Sequence, residues 1–362
     1  MKAKTCSATI ILCFIICSIG TAPHDVTAQT SESPIEQWSP CSSPEARQFD
    51  FWAGEWDVQN LVLHPEKGWV DAGRATNRVY TLLDGCAVIE HWEGEFRGNP
   101  LYGFSIRAFD PSKKKWVLVL NWTGKGSRSF GILEGEFRHG RGEFFFSTKD
   151  REGKEIRGRY SFSDINEKTF RWDSSRSTDG GMLWHTDWIM EFTRRDAMSD
   201  LPLFNGPARS HSLCSEPETR EFDFMTGEWE GVRQIQQADG SRQDERVRLQ
   251  SLAILGGCAS MEFLESVEGE HRFKEFRVRA LDPSSKRWVE YSINNRNPVF
   301  RRLEGNYKDS VAELRTSASS NNLARTRWSE ISADSVSRES ASSTDGGKTW
   351  NTVSKIAFKR KR

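Results

Sequence analysis

Apolar and polar residues alternate along most of this chain in short runs, with aromatic and β-branched side chains set between Gly, Asp and Asn turns. Few stretches repeat at helical spacing. In the first half the runs start near Gly54, Trp69, Cys86, Pro100, Lys115, Ser127, Gly142, Ile156, Thr169 and Leu183. Turn chemistry separates them at His64-Pro65-Glu66-Lys67-Gly68, Asp110-Pro111-Ser112, Lys149-Asp150-Arg151-Glu152-Gly153 and Thr178-Asp179-Gly180-Gly181. About ten consecutive strands with short joints predict an all-β, up-and-down antiparallel meander. Closure into a barrel would remove its unpaired edges. On the last strand Trp184, Thr186, Trp188, Met190, Phe192 and Arg194 share the more apolar face, which is expected to look inward.

The pattern occurs twice. Phe49-Asp50-Phe51-Trp52-Ala53-Gly54-Glu55-Trp56 returns as Phe222-Asp223-Phe224-Met225-Thr226-Gly227-Glu228-Trp229. Ile106-Arg107-Ala108-Phe109-Asp110-Pro111-Ser112 returns as Val278-Arg279-Ala280-Leu281-Asp282-Pro283-Ser284, and Ser177-Thr178-Asp179-Gly180-Gly181 as Ser343-Thr344-Asp345-Gly346-Gly347. Same-order recurrence over the whole length is duplication of one domain. The expected organisation is a signal peptide over 1–28, a flexible leader over 29–40, a barrel over 41–196, a linker over 197–213 and a second barrel over 214–362.

Composition adds a compartment. Lys2 and Lys4 precede an apolar run from Ala8 to Gly20, too short to span a bilayer comfortably, and small residues follow. With an uncleaved anchor as the alternative, this reads as an export signal cleaved after Ala22 or Ala28. The mature chain then has no transmembrane segment and is periplasmic or extracellular. Basic and acidic residues balance at 51 each, which gives no pull toward nucleic acid. Cys41, Cys86, Cys214 and Cys258 remain after cleavage. Cys41 and Cys214 each lie eight residues before the Phe-Asp-Phe motif, while Cys86 and Cys258 each follow a Gly-containing turn. Four cysteines allow three pairings, and the repeat selects Cys41–Cys86 and Cys214–Cys258. Such bridges need an oxidising compartment. Each closes a loop of roughly 45 residues, worth about 4 kcal/mol in the chain-entropy picture.

A Gly-x-Trp on the first strand with an Arg on the last resembles the lipocalin and fatty-acid-binding-protein (calycin) barrels. That resemblance implies that the Trp and the Arg pack together at the closed end, here Gly54, Trp56 and Arg194 in one copy and Gly227, Trp229 and Arg360 in the other. The fuller string Phe-Asp-Phe-x-x-Gly-Glu-Trp is similar to that of a family of secreted bacterial proteins with such barrels. It implies fold and compartment and brings no activity with it. Haem barrels of the nitrobindin type open Gly-x-Trp-x-Gly-x-Gly, but Val58 and Asn60 stand where the later glycines would be in the first copy, and the second keeps only Gly231, with Arg233 after it. No haem or other cofactor is expected.

Candidate chemistry is sparse. His185 on the last strand is expected to face outward, and His91 to be a packing residue. No metal-spaced cluster or nucleophilic triad stands out. Polar positions occur in both copies inside apolar strands: Glu90 with Glu262, Arg107 with Arg279, and Glu134 with Glu304. Glu90 alternates with Val88 and Trp92 and is expected inside, as a ligand anchor or in an ion pair. Arg107 alternates away from Phe104 and Ile106 and is expected outside. Nine Trp lie between Trp52 and Trp188 in the first copy, against four in the second. Aromatic walls suit an apolar ligand and suit a filled core equally. The leading expectation is a small hydrophobic or aromatic molecule held in the first barrel, with Trp92, Trp122, Trp172 and Trp188 as walls and Glu90 as the polar anchor. The alternatives are a barrel isomerase, cyclase or haem-based catalyst, and a structural module with filled barrels.

Overall fold

The computed structural model describes residues 41–123, 129–196, 214, 216–237, 239–269, 271–317 and 321–361. The expected signal peptide, leader and linker lie outside the described residues. The first copy has β1 (Gly54–His64), β2 (Gly68–Leu82), β3 (Ala87–Phe96), β4 (Asn99–Asp110), β5 (Lys115–Trp122), β6 (Gly131–Arg138), β7 (Arg141–Lys149), β8 (Glu155–Ser163), β9 (Thr169–Ser177) and β10 (His185–Arg194). The second has β11 (Gly227–Gln236), β12 (Arg242–Ile254), β13 (Ala259–Ser266), β14 (Lys274–Asp282), β15 (Arg287–Asn294), β16 (Asn297–Lys308), β17 (Val311–Arg315), β18 (Leu323–Ser329), β19 (Ser335–Ser343) and β20 (Asn351–Arg360). Every strand pairs with its chain neighbours, and β1 with β10 and β11 with β20 close the two rings. The fold is therefore two up-and-down, lipocalin-like barrels.

The repeated motif forms the closed end. A 3₁₀ turn at Asp50–Trp52 precedes β1 and carries Phe49 and Trp52 into the barrel floor. Trp56 Nε1 donates to the Trp52 carbonyl at 2.8 Å. Arg194 lies 4.1 Å over the Trp56 ring, and donates to the carbonyls of Ala53 (2.7 Å), Phe51 and Glu167 (2.7 Å). Gly54 has φ +133°, and a Cβ there would lie 2.5 Å from Arg194 Nη1. The second copy repeats this clasp, with Arg360 4.1 Å over Trp229 and donating to the carbonyls of Thr226, Phe224 and Ala333. The bridges are Cys41–Cys86 and Cys214–Cys258.

The outer walls of β3, β4, β5 and β13, β14, β15 pack against each other. Ile89, Phe104, Ile106 and Val119 are buried in one cluster with Met261, Phe276, Val278 and Ile293. Phe104 and Phe276 stack across it at 6.3 Å. At its edge Asn295 Nδ2 donates to Asp84 at 2.7 Å, and Lys274 pairs with the same carboxylate.

This packing corrects the expectation for Arg107. The strand's apolar face, Phe104 and Ile106, looks out toward the other barrel, and Arg107 points inward, where it is fully buried. Both faces of β4 are buried, so the more apolar face does not identify the interior. The expectation for Trp184 is also corrected. The register of β10 against β9 shifts between Thr186 and Trp188, which reverses parity beyond that point. Trp188, Met190 and Phe192 face in, whereas Trp184 packs outside against Phe145 and Arg159.

Candidate functional site

The interior of the first barrel has three layers. At the floor, Phe49, Trp52, Phe144, Phe162 and Phe170 interlock at 5–6 Å, mostly edge-to-face. They come from the pre-strand turn, β7, β8 and β9, and their full burial accounts for the aromatic content of the motif.

Above the floor lies one charged pair. Glu90 on β3 accepts from Asn77 Nδ2 (3.0 Å), Ser105 Oγ (2.5 Å) and Arg107 Nη2 (3.0 Å). Arg107 lies 3.8 Å over the Trp52 ring. Burial pulls the Arg107 pKa down, the Glu90 carboxylate opposes this, and the balance falls at about 10. The guanidinium thus stays charged at neutral pH, and the pair is neutral as a unit. The side chains holding Glu90 all belong to the chain itself, so the ion pair is what the geometry shows for this residue.

Toward the open end, the four expected wall residues come together. Trp92 meets Trp122 at 5.5 Å, Trp122 meets Trp188 at 5.7 Å, and Trp188 meets Trp172 at 5.1 Å. Tyr160 adds an edge at 4.7 Å to Trp172, and Phe96 covers Trp188 at 4.5 Å. Burial, with the nearby Asp187 and Glu90 charges, pushes the Tyr160 hydroxyl up to about 12. Trp188 Nε1 donates to Asn60 Oδ1 at 3.1 Å, whereas the buried Nε1 atoms of Trp92 and Trp122 have no acceptor. Between the aromatic and charged layers is a cavity of about 20 Å³, lined by Glu90, Arg107, Leu118, Trp122, Tyr160 and Trp172. It has room for about one water.

The second barrel keeps the floor and replaces the upper layer. Register places Leu264, Asn294, Arg338 and Ser354 where the first has Trp92, Trp122, Trp172 and Trp188. Glu290 stands for Leu118, Arg277 for Ser105 and Glu275 for Gly103. The result is a buried network in place of an aromatic one. Arg279 binds Glu262 and Glu290 (2.8 Å), Arg277 binds Glu290 (2.6 Å) and Glu275 (2.9 Å), and Arg338 reaches Glu275 (3.3 Å) and Glu262 (3.5 Å). Three carboxylates thus meet three guanidiniums. The Glu290 substitution is visible in the sequence, but Arg277, which binds it, and Arg338, which completes the network through Glu275 and Glu262, carry no motif that marks them.

Among the described residues His185 is exposed and His91 packs beside Phe104, 5.7 Å between rings. No cluster of three or more His, Cys, Asp or Glu suited to a metal occurs among the described residues. No helix there is long and apolar enough to cross a membrane.

No family model and no curated protein matches the chain. Solved structures similar to it include a protein of unknown function from the DUF3598 family of Nostoc punctiforme PCC 73102, at 12% identity and TM-score 0.23, covering 88% of this chain and 100% of that one. An S-type phycobiliprotein lyase, CPES, from Guillardia theta matches at 13% identity and TM-score 0.26, covering 41% of this chain and 99% of that one. The structure of EF1p2_mFAP2b bound to DFHBI matches at 11% and 0.23, with 42% and 99% covered. Likenesses at this depth carry no argument about activity.

Proposed function

We propose that this chain is an exported binding protein whose first barrel takes up a small, neutral, flat aromatic or apolar molecule among Trp92, Trp122, Trp172 and Trp188. One observation carries the reading: the four indoles occur together in one copy only. The second copy keeps strand order, floor, clasp and bridge without them, so the fold itself does not require them. Two buried indole N–H groups lacking an acceptor offer hydrogen bonds to a ligand oxygen or nitrogen. Neutrality follows from the Glu90–Arg107 pair, because an added charge beside it would be buried without a counter-ion. Entry requires Trp122 and Trp188, both half-buried at the open end, to turn outward. Glu90 then contributes a polar wall through its ion pair. The reading assigns no cofactor and no catalytic residue. Export is read from the N-terminal segment together with two disulfides.

A second reading is favoured by the small cavity: the barrels are filled, and the paired surface is what the protein uses. Extraction of the purified protein followed by mass spectrometry separates the two. A stoichiometric small aromatic molecule supports binding. Its absence, combined with no saturable uptake of a neutral fluorophore, supports the filled barrel.

A further inference from the structure

A second concavity lies on the outer wall of the first barrel, separate from its interior. It has a volume of about 370 Å³ and is lined by Arg141 on β7, Arg159 on β8, Arg171 on β9 and Trp69 from the β1–β2 hairpin, with Asp164 and Asp173. Arg159 belongs to the fold's ordinary furniture, since it stacks 4.6 Å over Trp184 just as Arg325 stacks 4.6 Å over Trp350. The other two arginines do not. The register puts Val311 in place of Arg141 and Ser337 in place of Arg171, while Glu143 and Asp173 correspond to Glu313 and Glu339. The first copy therefore places guanidiniums at two wall positions where the second has none, whereas the second sets Arg315 on its Glu313 from the next position on the same face of β17.

Glu143 and Asp173 hold Arg141 but do not reach Arg171. Glu143 is shared by Arg141 (3.1 Å) and Arg159 (3.2 Å), and Asp173 stands 3.7 Å from Arg141. Arg171 has a loose pair with Glu191 at 3.8 Å, and the buried Arg159 Nε has no acceptor. Planar forks with spare donors match a carboxylate bidentately. Beside them Trp69 is 42% exposed, where the second copy's hairpin has Arg242 at the same register. An exposed indole offers a flat apolar face for a ring to stack on.

We infer that this wall pocket binds a carboxylate-bearing ring of single negative charge, anchored by Arg141 and Arg171 and stacked on Trp69. Two sources share that chemistry, a hexuronate of an acidic polysaccharide and a free aromatic carboxylate. The full chain is titrated calorimetrically at low salt with trigalacturonate, with benzoate and with neutral maltotriose. Saturable binding of either acid, weakened at least tenfold in both Arg171→Gln and Trp69→Ala and reduced by added NaCl, supports the site, and the better-bound acid names the source. Both side chains are substantially exposed, so the variants are expected to keep the wild-type melting temperature. Absence of binding by both acids, equal binding of maltotriose, or binding unchanged in the two variants overturns the inference.

Discussion

The indole of Trp122 lies flat on Gly103 of the neighbouring strand, so close that a Cβ at position 103 would stand 2.3 Å from Trp122 Cζ3. This Gly–Trp pair folds the indole into the barrel mouth. The second copy has Glu275 and Asn294 at these positions and fills its mouth with charge instead. Gly103→Ala is expected to push Trp122 outward, lower stability by about 1–3 kcal/mol and weaken the near-ultraviolet circular dichroism of the coupled indoles. Urea unfolding and the spectrum check this.

The clasp gives a second prediction. Arg194→Ala removes a stacked cation and its bonds to the carbonyls that shape the 3₁₀ turn. The expected cost is about 2–4 kcal/mol in chemical unfolding. Gly54→Ala should also destabilise strongly, since it adds a clash with Arg194 at a positive φ.

Much of this end of the barrel was legible in the sequence. Gly54, Trp56 and Arg194 recur in both copies at fixed places, and turn residues bracket nearly every strand. Glu90 was legible too, because Val88 and Trp92 flank it with the right parity. Arg107 was not, since the outer wall of β4 is as apolar as an interior when a second barrel covers it. Trp184 was lost to a register shift that leaves no residue signature. Periodicity reports burial, and burial here has two sources.

Acid should loosen the second barrel's interior. Burial alone would raise the Glu275 pKa, but Arg277 and Arg338 outweigh it and bring the carboxylate down to about 2. A carboxylate whose folded pKa lies below its unfolded value, about 4.3, stabilises the fold above that value and loses its contribution as pH falls through about 2. Glu275→Gln is therefore expected to melt below wild type at pH 7. The difference should shrink steadily between pH about 4.3 and 2, as thermal unfolding across that range will show.

The inter-barrel wall predicts joint behaviour. Phe104, Ile106, Phe276 and Val278 would all face water if the barrels separated. Cutting the chain at a protease site placed within residues 197–213 should leave both halves in one particle by light scattering. Phe104→Glu should let the cut halves part, because it buries an unpaired charge in that cluster.

The central claim concerns the four tryptophans. Its most direct test is a titration with the neutral fluorophore N-phenyl-1-naphthylamine, following energy transfer from tryptophan in wild type and in Trp172→Arg, the residue that the second copy carries. Near-ultraviolet circular dichroism confirms that each variant is folded, and Trp172→Leu provides a second variant if Trp172→Arg is not. The account predicts saturable one-to-one binding in wild type, weakened at least tenfold in the folded variant. Absent saturation, or binding undiminished in the variant, would contradict it.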